Sequence, residues 1–277
     1  MIIAAFFFAL IAFIIKLLKN IPLMEIVLFR NIPSMIIIPI IILMKKETPI
    51  LGRNKPLLFL RGFLGALGVT AMFYTYTKMP ITDSITIQRL SPFFIIIMSI
   101  IFLKEKYNLK QIPLILLAFI GALFVIKPGF RTDIFPAVLA IISAILMGTA
   151  HIIIRYLRLS DDYWVIINYY AYITGIMAII LLLWQGNFVI PGLWDLILLL
   201  ILGFAAIGSQ IGLTLAYRFA PANMVAPYLY TQIVFAAMLE FACLGVMSDL
   251  LSIIGSIIII VSGILYFTCS NTNNIKN

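Results

Sequence analysis

Apolar positions run on for whole segments with only short polar interruptions, and the runs fall at 2–18, 22–44, 57–79, 82–103, 109–126, 134–157, 163–184, 194–217, 223–245 and 250–268. A bilayer core takes about 20 such residues per helix, so the pattern predicts ten transmembrane helices joined by short loops. The predicted fold is all-α and polytopic, with nothing left over for a soluble domain. The first run starts at Met1 with no basic segment before it and no small-residue cleavage site after it, so it is expected to stay as a helix.

The polar exceptions inside these runs carry the chemistry. Gln88–Glu105 reads QRLSPFFIIIMSIIFLKE. On a helix starting at Pro80, Thr82, Thr86 and Arg89 line one side while Ser84, Gln88 and Ser91 line nearly the opposite side, which suits a helix inside a bundle. Arg89 can act as an interhelical tie or as a substrate contact. Pro92 removes a backbone donor and frees the Gln88 carbonyl, making a hinge. Further candidates for a solute cavity are Tyr74, Gln210, Tyr228 and Gln232, together with Gln88 and Arg89. Tyr169 and Tyr170, close to a helix start, read as interface anchors.

Two titratable groups are candidates for proton coupling. Glu240 lies five residues from the end of its run, and it could instead snorkel or pair with a cation. His151, the only histidine, stands one turn before Arg155 and could instead be a hydrogen-bonded packing residue. Glu25 and Arg30 are close enough along one helix to pair locally.

Composition excludes most other classes. The chain has 277 residues, 64% hydrophobic and 10% charged, with mean hydropathy +1.18; soluble domains carry about a quarter charged residues. The net charge of +9 does not indicate nucleic acid, because in a membrane protein the placement of Lys and Arg sets orientation. With the N-terminus cytoplasmic, twelve of the 19 cations fall on the cytoplasmic side, Arg61 counted among them. Five fall opposite, and Arg30 and Arg89 lie within helices. This favours both termini inside. Cys243 and Cys269 lie in or beside apolar spans and suggest neither a disulfide framework nor a metal site.

The chain also contains a faint internal repeat. Leu67–Pro80, LGVTAMFYTYTKMP, resembles Ile207–Pro221, IGSQIGLTLAYRFAP, and the two prolines stand 141 residues apart. The same offset superposes Tyr76 on Tyr217 and brings runs 109–126 and 250–268 into register as fifth helices. Five helices per half would turn the second half upside down, the inverted-repeat plan of many secondary transporters. The expected units are 1–130, 131–270 and a cytoplasmic tail at 271–277.

These motifs resemble the drug/metabolite transporter superfamily, and within it the EamA branch, over nearly the whole chain. The segments that carry the resemblance are Met24–Asn31 (MEIVLFRN), Arg61–Gly68 (RGFLGALG), Leu90–Glu105, Ala226–Gly245 and Ile254–Gly263. The resemblance implies two inverted EamA repeats that move small metabolites by alternating access across the inner (cytoplasmic) membrane.

The expected function is therefore secondary transport of a small organic metabolite, with no enzymatic activity, no cofactor and no metal. The chain lacks a G-x-S-x-G elbow, an H-E-x-x-H helix and a phosphate-binding G-x-x-x-x-G-K-[ST] loop. Expected partners are the small-molecule substrate and the lipid bilayer, with no nucleic acid; a homodimer is compatible with the pattern. Ala226–Gln232, APYLYTQ, resembles carriers that import S-adenosylmethionine in host-dependent bacteria, which gives one alternative. Export of amino acids or other metabolites is a second, and a non-transporting scaffold or receptor a third.

Overall fold

The computed structural model describes residues 1–45, 49–78, 81–105, 111–126, 134–245 and 250–274, with the side chains of Tyr76, Thr77, Ile81, Thr82, Asp83, Thr86, Leu244, Ser252, Phe267, Ser270 and 271–274 left out. The boundary expected at 130/131, the span ends at 79 and 109–110, and the last residues of the tail lie outside the described residues. So do the side chains of Thr82, Thr86 and Tyr76.

The described residues form helices and no strand. In chain order these are α1 (Ile2–Leu17), α2 (Leu23–Met44), α3 (Lys55–Lys78), α4 (Ile81–Gln88), α5 (Ser91–Leu103), α6 (Ile112–Ile126), α7 (Ile134–Leu157), α8 (Tyr163–Gln185), α9 (Leu193–Phe219), α10 (Ala222–Val225), α11 (Thr231–Leu244) and α12 (Leu250–Asn274). Eight of the ten predicted spans are single helices. The fourth, 82–103, is divided between α4 and α5. The ninth, 223–245, comprises α10, a 3-10 turn at Ala226–Tyr230 and α11. Six stretches are long and apolar enough to cross a membrane, and four shorter apolar helices, including α1 and α6, accompany them.

The bundle is clad in hydrocarbon and polar within. Leu183, Ile264 and Ile36 are 79%, 59% and 58% exposed, whereas Ser143, Ser209, Thr214 and Glu25 are fully buried. That reverses the soluble arrangement and suits a lipid solvent, in which polar groups must find partners inside. The main apolar core joins α2, α3, α7, α8 and α9 through Ile38, Leu58, Ile154, Ile166 and Leu213.

Helix ends follow local chemistry. Asp162 caps α8 by accepting from the Trp164 amide at 2.9 Å, and Gly186 closes the same helix with φ +65°. At the end of α5, Lys104 takes φ 52° and the Glu105 amide returns to the Ser99 carbonyl at 3.2 Å. The Lys104 amide returns to the same carbonyl, a wide left-handed closure built without glycine, and it turns the Glu105 side chain toward the neighbouring helices.

The helices pair in a regular way. α3 packs on α7 and α8, and α9 packs on α1 and α2; α5 packs on α7, and α11 on α1; α2 meets α8, and α6 meets α12. α6 and α12 cross where Gly121 and Gly255 touch: a methyl on Gly255 would stand 2.5 Å from the Gly121 carbonyl oxygen, and one on Gly121 would stand 2.8 Å from that of Gly255. Gly255→Ala is therefore expected to force the helices apart at a cost of about 1–3 kcal/mol. Thermal unfolding in detergent checks this against Gly192→Ala, where the nearest atom is 4.0 Å away and the melting temperature should hardly move.

Candidate functional site

The polar residues gather in two buried groups and two end networks. The first group lies where α2, α3, α8 and α9 meet. Arg61 of α3 is 2% exposed. Its guanidinium lies 4.1 Å from the Tyr170 ring centroid, and its Nη2 donates to Gln210 Oε1 at 3.0 Å. Arg30 of α2 donates from Nη2 to the Tyr170 hydroxyl at 2.9 Å. Gly65, one turn after Arg61, leaves room for that ring: a methyl there would come within 3.0 Å of it. The Nε atoms of both arginines and Nη1 of Arg61 have no hydrogen-bond partner.

His151 of α7 extends this group. Its ring stacks on Tyr217 with centroids 5.4 Å apart, its Nδ1 has no hydrogen-bond partner, and it lies within electrostatic reach of Arg61.

The second group marks the two helix breaks. The α4–α5 junction keeps a near-helical path, but Phe93 donates to Leu90 rather than to Arg89, and the Arg89 carbonyl accepts the Tyr230 hydroxyl at 2.7 Å. Tyr230 is the last residue of the 3-10 turn, so each irregular segment braces the other, as irregular backbone at membrane depth requires. Arg89 Nη1 donates to Gln232 Oε1 at 3.2 Å, and Gln88 Nε2 donates to the Ala140 carbonyl at 3.3 Å. The geometry of Arg89 is that of an interhelical tie. Pro92 stands at the first turn of α5, where it starts a helix instead of kinking one.

Other expected site residues lie apart from both groups. Tyr74 is 41% exposed, with the Lys78 ammonium 5.9 Å over its ring. Tyr228 donates to the Gly263 carbonyl at 3.4 Å and borders, with Pro227, Thr231 and Ser262, a cavity of about 10 Å³, room for about one water. A larger cleft of about 440 Å³ between α3 and α8 is lined by Phe59, Thr70, Ile176, Met177 and neighbours, a wall suited to an acyl chain more than to a polar solute.

Several expectations are corrected. Arg61 does not belong to the loop cations, since it is buried in the bundle. Tyr170 is 4% exposed and sits between two arginines instead of at an interface. Glu25 and Arg30 do not pair: Glu25 Oε2 accepts the Val189 amide at 3.1 Å while Arg30 turns to Tyr170. Tyr74 and Tyr228, read as deep cavity residues, do not converge with Gln210. Sequence reasoning missed Arg61, Arg30 and Tyr170 as a unit; the signal was the glycine spacing of RGFLGALG, which permits close helix approach around a charge.

At one end of the bundle, Glu105 accepts from Arg155 Nε at 3.1 Å and from the Ala222 and Asn223 amides at 3.1 and 3.3 Å. Arg155 Nη1 also donates to the Tyr217 and Arg218 carbonyls. Beside it, Asp161 accepts the Arg53 and Asn54 amides, and Arg218 donates to the Asp161 carbonyl. At the opposite end Lys16 and Glu240 form an ion pair at 2.9 Å, their side chains 53% and 36% exposed. Glu240→Gln is thus expected to cost no more than about 1 kcal/mol and to leave the pH profile of transport unchanged; a flux-against-pH series in reconstituted vesicles checks both readings of this residue.

A bundle of apolar helices with a buried polar centre and two broken helices braced across the interior defines a membrane carrier. The chain belongs to the EamA-like transporter family, whose pattern matches residues 1–127. It is 32% identical over 246 residues to the pseudopaline exporter of Pseudomonas aeruginosa, covering 88% of this chain and 85% of that one. Solute carrier family 35 member G1 of Mus musculus is 29% identical over 94% of this chain and 75% of its own length. An S-adenosylmethionine uptake transporter of Rickettsia bellii is 26% identical over 85% of this chain and 80% of its own. A crystal structure superposes with TM-score 0.84 at 12% identity, covering 94% of this chain and 92% of its own, and it supports the fold. The protein is a multi-pass transporter of small metabolites and not an enzyme.

Proposed function

We propose that the chain is a secondary carrier of the cytoplasmic membrane that exports a small organic metabolite by alternating access between two inverted five-helix repeats, with both termini cytoplasmic. The observation that carries this reading is the pairing of helices. Exchanging α1 with α7, α2 with α8, α3 with α9, α4–α5 with α10–α11 and α6 with α12 turns each principal contact into another: α3–α7 becomes α9–α1, and α5–α7 becomes α11–α1. Residues on a two-fold axis touch their own counterparts, and Arg89 meets Tyr230 at a separation of 141, the offset of the sequence repeat. With five spans per half, such an axis lies in the membrane plane.

Orientation is supported by charge. Lys45, Arg155 and Arg218 gather with the loops bearing Arg53 and Asp161 at one end, the end that the positive-inside rule assigns to the cytoplasm. Export is favoured by the 32% identity to a protein named as an exporter. Uptake of S-adenosylmethionine is the second reading, supported by the Rickettsia relative and by Ala226–Gln232. Neither proton-coupling candidate is supported, since Glu240 is paired with Lys16 and His151 lies buried beside the Arg61 cation.

The test is counterflow in proteoliposomes loaded with a bacterial metabolite extract, read by mass spectrometry against empty liposomes. Time-dependent exchange of one or a few solutes is expected. Absence of any protein-dependent flux under a proton gradient, a sodium gradient and exchange conditions would overturn the carrier reading.

A further inference from the structure

Arg61 and Arg30 present two guanidinium groups to one tyrosine in the interior of the bundle, 2% and 6% exposed. Among the described residues no carboxylate is hydrogen-bonded or ion-paired to either: Arg30 reaches the Tyr170 hydroxyl and Arg61 the Gln210 amide oxygen and the Tyr170 ring. Both partners are neutral. The two arginines repel each other, and burying an uncompensated charge costs several kcal/mol. The same molecule gives Arg155, buried to a similar degree, the carboxylate of Glu105. Here the acid is lacking and guanidinium donors remain unused at Arg61 Nε and Nη1 and at Arg30 Nε.

We propose that Arg61 and Arg30 bind the anionic group, a carboxylate or a phosphate, of the transported solute. The inference rests on the carrier reading and names the substrate class for it. A planar oxyanion suits guanidinium donors geometrically, and charge-assisted bonds in a water-poor interior are the strong kind. Gln210 fixes the rotamer of Arg61 from α9, and Tyr170 supports both arginines from α8. The pair of arginines thereby comes from the first half and its neutral supports from the second, so relative movement of the halves would alter the grip on an anion. That places binding at the repeat interface, where a rocking carrier needs it.

The purified full-length protein is incubated with two fractions of a bacterial metabolite extract, one retained on an anion-exchange resin at about pH 11, where amino groups are uncharged and carboxylates and phosphates bind, and one passing through, both then returned to neutral pH. Bound solutes are then read by native mass spectrometry. Adducts are expected from the retained fraction alone, and phosphatase treatment of that fraction tells phosphate from carboxylate. Arg61→Gln and Arg30→Gln should each weaken them at least about tenfold.

Gln210→Glu is the discriminating variant: it puts a carboxylate beside Arg61, neutralises it internally and should keep the protein well folded while adducts are lost. A packing role for Arg61 predicts undiminished binding in that variant. Adducts from the flow-through only, adducts from neither fraction, or unweakened adducts in Gln210→Glu or Arg61→Gln would overturn the proposal. Should Gln210→Glu fail to give monodisperse protein, Arg61→Lys, which keeps the charge, decides: retained but weakened adducts support the anion site, and unaltered ones sink it. Because binding is read without flux, a failed counterflow assay tells against the carrier reading and not against the anion site.

Discussion

Replacing Glu105 by alanine is expected to unfasten one end of the bundle. Its carboxylate is 11% exposed and holds three donors at once: Arg155, whose side chain is 10% exposed, and the amides of Ala222 and Asn223. Removing it leaves the arginine charge and two backbone donors without their acceptor, and breaking a buried pair in this way costs about 3–5 kcal/mol. Glutamine in its place keeps an acceptor for the amides but loses the charge, so Glu105→Gln should fall between wild type and alanine. In the proposed two-repeat carrier α5 belongs to one repeat and α7 and α10 to the other, so on that proposal the loss should also favour the conformation in which this end is open. Hydrogen exchange is the direct measurement: the Ala222–Val225 amides should exchange faster while those of α6 and α12 stay protected. Glu105→Ala and Arg155→Ala combined should cost much less than the sum of the two. Additive effects, or unchanged exchange at Ala222, would mean the network does not hold this end closed.

The same network explains what could be read from the sequence and what could not. Spans were legible because a hydrocarbon solvent demands long apolar runs, and QRLSP signalled a break because proline lacks the donor that a continuous helix needs. An offset of 141 between two sequence segments was legible too, and it is also the separation at which Arg89 meets Tyr230. What meets across the halves was not. A helix that is apolar on every face gives no periodicity from which to read its partners, so nothing local tells Tyr170 from Tyr169, although one is buried between arginines and the other donates to the Leu51 carbonyl. Arg61 was hidden for a related reason: it follows Arg53 and Lys55 closely and looks like the last of the loop cations, yet α3 already begins at Lys55, nearly two turns earlier. Only the approach of α8 and α9 turns it inward.

Closing the break between α4 and α5 should stiffen the carrier and slow it. In Pro92→Ala the new amide hydrogen can reach the Gln88 carbonyl, and the ring that keeps that turn open is gone. Because Pro92 sits at a helix start in the wild type, the gain is limited to the recovered helical hydrogen bonds, about 1 kcal/mol each, so a continuous α4–α5 helix should raise the melting temperature by a few degrees at most. The cost falls on motion. The Arg89 carbonyl, which now accepts from Tyr230, would be drawn back into a helical bond with Phe93, and the mutual bracing of the two broken helices would be lost. If the break is the hinge about which the repeats rock, flux should drop severalfold while solute binding stays near wild type, a pattern that neither misfolding nor loss of the binding site produces. Tyr230→Phe provides the converse: it keeps the break but strips the brace, and since Tyr230 is fully buried it should lower stability by about 1–3 kcal/mol. A Pro92→Ala protein that melts higher and transports at the wild-type rate would assign the proline to packing alone and leave the hinge elsewhere.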